Sequence, residues 1–519
     1  MTAYTPHFQV EVLENDASEV LSLIRSIQNS FASINRIPPE VLSLVPGCYV
    51  KDRADQDLIK LTHVCSVWRN IFISCPPLWT QLDFKNVDKT RTYIYRSKSS
   101  PLDLYLEDGG IDPYLDDAFS LVISHIHRLK SVVVCADDPM RILRHFRSRT
   151  PLLEEVHVRL ASTHNHRQQI FDSQPFDGDL SSLRKLCLFG VPTHLPWNNV
   201  ANLRVLNLSY SLGSEVTSTR LLDFLESAPL LQVVALVQSN PEAFNTPPGR
   251  MVSLPHLKTL TINVEPERSI LNHLRIPIGV SVMVWATFSG EESPLLDYLP
   301  ETSPNLENLS RITMLNFRFD PGTKCAQLSG PSGSLRLVAR PEGQANPSAA
   351  MDHRILRCLR PSTLSTIQRL SISNYISRNP TGVEDGSIFQ MLSSANQLRT
   401  LVLSEGNLRP FISALNPRRN SSKVVLCPNL KELLLCSDLW GPTKLLINMA
   451  RGRASSGAKL ASMTMVFLDA PLPEPEVLKL GEYVTHMKYN RNSQPPLWDD
   501  LSYEGESSPR KRTVIYPGS

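Results

Sequence analysis

Little in the chain commits it to chemistry. Its nine cysteines include no C-x-x-C pair, so the usual redox and zinc-ribbon spacings are missing. An odd number scattered along a long chain argues against a disulfide framework. Cys65, Cys135, Cys187 and Cys436 sit among apolar neighbours and are expected to be buried, reduced thiols. No run of about 18 apolar residues occurs, so no membrane partner is expected. The opening MTAYTPHFQVEVLEND lacks the positive start and apolar run of a secretory signal, and a cytoplasmic or nuclear location is expected. Charge of one sign is also missing: 53 basic residues face 50 acidic ones, a net of +3. That balance gives no polyelectrolyte attraction, and nucleic acid is not an expected partner.

Catalytic signatures are equally sparse. No G-x-S-x-G occurs, and GPSGS at 330–334 lacks the lysine and following helix of a phosphate-binding loop. His125 with His127, and His164 with His166, can each put two imidazoles on one side of a strand. Neither pair has a third Cys, Asp or Glu in register, as a metal site requires. Asp112, Asp116 and Asp117, beside Glu107 and Asp108, lack the glycine-anchored spacing of a calcium loop. No catalytic residue, metal site or cofactor is expected, and the chain reads as a non-enzyme.

Proline is abundant, with 40 in 519 residues against an average near 5%, which implies many turns. Near the start, Asp16 and Glu19 make a capping-box pattern ahead of Val20, Leu23, Ile24, Ile27, Phe31 and Ile34. That helix is expected to lie against the segment that follows; the alternative is a helix kept for a partner or for dimerisation. In Ile34–Leu82, Pro38-Pro39-Glu40 suits a helix start, and Pro46-Gly47 is expected to end that helix. Asp55 can then cap one helix carrying Leu58, Leu61, Cys65, Trp68 and Phe72 at steps of three and four, widened by Val64 and Ile71.

With IPPEVL opening one short helix and LIKLTHVCSVWRNI forming the next, this stretch resembles the F-box, a small helical module that docks onto the Skp-type adaptor of cullin-based ubiquitin ligases. The resemblance covers roughly a tenth of the chain. It implies adaptor contact, or the core directly behind it, for Ile37, Pro38, Pro39, Leu42, Leu61, Val64 and Trp68. The chain departs from the F-box pattern where Leu44-Val45 runs into Pro46-Gly47-Cys48 and a polar link from Lys51 to Asp57.

After residue 82 the pattern changes. Leu82-Asp83-Phe84 and Leu102–Leu106 read as strands around the helix-like KTRTYIYRSKSS. From Leu129 a unit recurs: an apolar residue, two others, then two apolar residues separated by one. It appears as LKSVVV, LEEVHV, LRKLCL, LRVLNL, LQVVAL, LKTLTI, IQRLSI, LRTLVL, LKELLL and LASMTM. So loose a pattern arises often by chance, but Pro151, Pro229, Pro255 and Pro428 each stand two residues before the first apolar position. The unit is therefore helix, proline turn, strand. A strand and a helix with one apolar face each cannot bury themselves alone, whereas stacked units can.

These units resemble the irregular leucine-rich repeats that follow F-boxes in many substrate receptors, particularly in mushroom-forming fungi, although the asparagine that usually follows each strand is mostly absent. The expected fold is an α/β solenoid, an irregular leucine-rich-repeat array with parallel strands and outer helices, preceded by a small all-helical F-box. Its expected segments are an amphipathic helix at 1–33, the F-box at 34–82, linker strands and helix at 83–128, the array at 129–480, and a partly disordered tail at 481–519. Two or three distorted repeats are expected between 264 and 366. Outward strand positions form the expected face for an unknown protein target: Glu155, His157, Lys185, Asn207, Thr259, Thr261, Arg369 and Thr400, with neighbours such as Cys187, Ser371 and Val402. The resemblance implies a substrate-recognition subunit that partners the adaptor and, through it, a cullin. The alternative is a non-catalytic scaffold whose F-box-like helices only cap the array.

Overall fold

The computed structural model describes residues 6–46, 55–83, 86–108, 115–138, 142, 145–161, 175–178, 180–191, 199–209, 211, 217–237, 250–263, 270–288, 312–320, 323–330, 333–341, 364–375, 386–417, 424–437, 443–467 and 474–491. The chain divides into two units, Met1–Leu231 with Ser239–Glu242, and Gln232–Gln238 with Ala243–Ser519. Each is built on a mostly parallel sheet with helices.

The first unit opens with helices: α1 (Pro6–Ser30), α2 (Pro39–Leu42), α3 (Asp55–Thr62) and α4 (Ser66–Ile73). A 3-10 turn at Pro76–Trp79 leads into β1 (Gln81–Asp83). Then come α5 (Val87–Ser97), β2 (Leu102–Asp108), α6 (Leu115–Ile123), β3 (Leu129–Ala136), β4 (Glu155–Leu160), β5 (Lys185–Phe189), β6 (Val205–Ser209) and α7 (Ser218–Glu226). Strands β1 to β6 pair in sequence order, all parallel. Helix α5 is capped by Asn86, whose side chain accepts from the Lys89 amide at 3.0 Å. It ends at Lys98, which takes φ +50°. Arg128, almost fully buried, holds that end by donating to the Ser100 carbonyl and to Ser97 Oγ at 2.7 Å.

The second unit carries β7 (Val233–Val237), β8 (Val252–Ser253), β9 (Thr259–Asn263), β10 (Leu274–Arg275), β11 (Ser281–Phe288), β12 (Met314–Asp320), β13 (Thr323–Gly330) and β14 (Gly333–Pro341). After them come β15 (Arg369–Tyr375), α8 (Gly386–Ser394), β16 (Thr400–Gly406), α9 (Arg409–Ala414), β17 (Glu432–Ser437), α10 (Thr443–Ser455), β18 (Leu460–Phe467), α11 (Glu474–Gly481) and β19 (Val484–Arg491). Two parallel runs, β7-β9-β11 and β12-β15-β16-β17-β18-β19, are joined through an antiparallel β12-β13-β14 meander whose last strand pairs with β11.

All ten recurring segments lie on strands, and the reason is local. In nine of them the amide of the first apolar residue bonds back three residues, for example Leu129 to Ile126, Leu153 to Thr150 and Leu430 to Cys427. Pro151, Pro229, Pro255 and Pro428 fill the second position of that turn, where a φ near −65° is required and no amide is needed. Adjacent units are then clamped side by side. Ser182 Oγ donates to the Pro151 carbonyl at 2.6 Å, Asn202 Nδ2 to the Ser181 carbonyl at 2.7 Å, and Asn429 Nδ2 to the Asn396 carbonyl at 2.9 Å. Past the turn, the first four residues of β4, β5 and β6 alternate half-buried and buried.

Several sequence expectations are corrected. Helix α1 begins at Pro6, ten residues before the proposed cap at Asp16, because proline suits a first turn and the apolar spacing continues upstream. It does not lie against the following helices, since every described side chain from Leu13 to Ser30 is exposed. The single helix expected over 55–72 is two, broken at His63–Cys65, where Cys65 is fully extended. Arg69 Nε donates to the Thr62 carbonyl that the break leaves open, at 3.1 Å. Pro46 does not end the first helix; α2 ends in a turn at Ser43, and helix resumes at 45–46. The irregular region contains the antiparallel meander rather than only distorted repeats, with Gly330 opposite Gly333 where β13 and β14 meet. DHRILRCL at 352–359, Asp112, His164 and His166 lie outside the described residues. The sheet also runs past residue 480, since β19 pairs with β18.

Candidate functional site

The helical segment before β1 has a complete small core. Leu42, Trp68 and Phe72 are buried, with Ile37, Val45, Leu61, Cys65, Ile71 and Leu78 packed against them. Trp68 meets Phe72 edge to face at 5.5 Å, and its Nε1 donates to Asn35 Oδ1 at 2.8 Å. Trp79 is buried at the end of this segment. Its Nε1 donates to the Phe72 carbonyl at 2.8 Å, and its ring takes Tyr93 on one side and the Arg96 guanidinium at 4.4 Å. The helices are thus joined to α5 through one aromatic residue.

Of the adaptor residues inferred from the resemblance, Leu42 and Trp68 serve this core, Ile37 and Leu61 are half-buried beside it, and Pro38, Pro39 and Val64 are exposed. Val41, within the IPPEVL run of the resemblance, is exposed by 52%, and Leu44, Ile59 and Val67, which were not assigned to a site from the sequence, are exposed by 66%, 41% and 39%. Apolar periodicity marks them as core candidates; only packing reveals that the core closes without them.

The second candidate is the outward face of the strands. In the first unit, register brings Glu155 beside Lys185, with Oε2 and Nζ 3.8 Å apart, and runs His157, Cys187 and Asn207 in one row. The next row puts the Arg159 guanidinium over the Phe189 ring at 5.4 Å. Cys135 and Cys187 are on this face and half-buried rather than in the core, unlike Cys436; the six cysteines whose side chains are described are all free. Burial pushes the Cys187 thiol up to about 11, opposed by the Lys185 charge, so it is a poor nucleophile.

In the second unit Thr259 and Thr261 lie two apart on β9, and Arg369 is the register partner of Thr400, which in turn donates to Glu432 Oε2 at 3.0 Å. All eight target residues are half-buried, as an outward strand face requires. Ser371 and Val402 are exceptions to the expected open face, at 3% and 6% exposure, so that part of the face is covered.

Among the described residues, no group of three His, Cys, Asp or Glu is arranged to hold a metal ion, and no helix is long and apolar enough to cross a membrane. His125 and His127 have ring centroids 6.5 Å apart. Burial first, and then Arg128, lowers the His125 pKa. No family model and no curated protein matches the chain.

Proposed function

We propose that the chain is a non-catalytic substrate receptor of a cullin-type ubiquitin ligase. The helices from Ile34 to Trp79 act as an F-box that docks the Skp-type adaptor, and stacked leucine-rich-repeat-like units carry a target protein on their outward strand face. One observation carries the reading: a helical segment with a closed core still exposes Val41, Leu44, Ile59, Val64 and Val67. Aliphatic side chains left over from a core cost solubility unless a partner covers them. The recurring turn and its unit-to-unit clamps support the repeat reading, because a stacked array is held by nearest-neighbour contacts of this kind. A fixed geometry between docking helices and target face is what a tethered transfer needs.

The test is co-purification of the full chain with the adaptor, repeated with Val41→Asp and Val64→Asp together. Binding should fall at least tenfold with unchanged thermal unfolding, since both side chains are exposed. Undiminished binding, or no binding by the unaltered chain, removes the proposal.

A scaffold in which these helices merely cap the array is the second reading. It is favoured by Trp79, which joins them to Tyr93 and Arg96 as a cap would. Under it the unaltered chain does not retain the adaptor.

A further inference from the structure

Helix α1 spans 25 residues, and no described side chain on it is buried. Leu13, Ala17, Val20, Ile24, Ile27 and Phe31 follow one another at steps of four, three, four, three and four, the spacing of a two-helix seam. The opposite side carries Asn15, Ser18, Glu19, Ser22, Arg25, Ser26 and Asn29, all polar. An amphipathic helix of this kind draws its stability from burying its apolar face. Here Leu13, Val20, Ile24 and Ile27 are 66%, 56%, 47% and 52% exposed.

We propose that α1 forms an antiparallel two-helix coiled coil with α1 of a second copy, making the chain a homodimer. Three features select this occupant. First, the seam is self-complementary when reversed: Leu13 meets the partner's Phe31, Ala17 the partner's Ile27, and Val20 the partner's Ile24, each pairing a smaller with a larger side chain or two of like size. Second, Leu21 and Leu23 flank the seam, exposed by 54% and 62%, and in the reversed arrangement each covers its own counterpart near the two-fold axis. Third, charge decides orientation. Glu11, Glu14, Asp16 and Glu19 fill the first half of the helix, and Arg25 is the only lysine or arginine from Pro6 to Ser30. A parallel pair would set the acidic halves side by side. The antiparallel pair separates them, setting each against residues 21–31 of the partner, which include Arg25 and no acidic residue.

The area suffices. Each large apolar side chain gives up on the order of 80 Å², so seven per helix remove on the order of 1,100 Å² from water, above the ~1,000 Å² that a specific interface needs. The inference does not depend on the ubiquitin-ligase reading, since α1 lies outside the docking helices.

Sedimentation equilibrium of the full chain should give twice the 58.2 kDa of one copy. The double variant Val20→Glu, Ile24→Glu should sediment as one copy with unchanged thermal unfolding of the rest, because neither side chain packs within the chain. A single-copy mass for the unaltered chain at the highest soluble concentration overturns the proposal, as does a variant that stays dimeric. Orientation is read by mixing a Leu13→Cys chain with a Phe31→Cys chain under mild oxidation, against the unaltered chain as background. A covalent dimer from the mixture supports the antiparallel pair. A covalent dimer from the Leu13→Cys chain alone overturns it.

Discussion

At the scale of single residues, burial separates side chains that periodicity treats alike. Phe72 and Val41 are both apolar members of the helical segment, but Phe72 has no exposure and Val41 has 52%. Phe72→Ala should destabilise by about 3–5 kcal/mol, while Val41→Ala should stay within about 0.5 kcal/mol; denaturant unfolding followed by tryptophan fluorescence measures both. Cys427 offers a pH-dependent test. It is buried in the turn before β17, donates to the Leu392 carbonyl at 3.2 Å, and burial pushes its thiol up to about 12 from an ordinary 9.0. Between those values the unfolded chain gives up a proton that the folded chain keeps. Stability from this group is therefore complete below pH 9.0 and declines as pH rises toward 12, by up to about 1.4 kcal/mol per unit. The Cys427→Ala chain should lose stability less steeply over that window. Arg453, fully buried, closes the same turn by donating to the Leu426 and Cys427 carbonyls at 2.8 and 2.9 Å.

At the scale of elements, the recurring turn does the organising. Four copies carry proline in its second position, and the copy from Val200 to Leu203 carries Ala201 there. Ala201→Pro should stabilise the chain by about 0.4–1 kcal/mol, because it removes freedom only from the unfolded state. A lowered unfolding midpoint would mean that this turn differs from its proline-bearing equivalents. The strands that follow were legible because their alternation and their proline lead-ins are local in sequence. The β12-β13-β14 meander was not, because an antiparallel hairpin and two short parallel repeats write the same apolar runs, and only pairing partners distinguish them. The split between α3 and α4 was hidden for a similar reason: the steps of three and four run on through Cys65, while the backbone does not.

At the scale of the molecule, each unit rests on a sheet of neighbouring strands. The end of the helical segment feeds directly into β1, so a boundary at residue 82 falls within the sheet. Removing only residues 1–31 should leave thermal unfolding unchanged, since α1 buries no described side chain in the chain, and should abolish the dimer in sedimentation. A large loss of stability would mean that α1 supports the fold.

The sequence alone determined the strands of the ten recurring segments and the turns before most of them, because each depends on residues within a few positions of one another. It also marked the amphipathic face of α1 and the apolar positions of the helices between Ile34 and Trp79. Which of those apolar residues the core leaves uncovered, whether α1 folds back or stands free, and which strands pair across the meander were decided only by tertiary structure. Those outcomes turn on contacts between residues far apart in the chain, and periodicity carries no information about a partner.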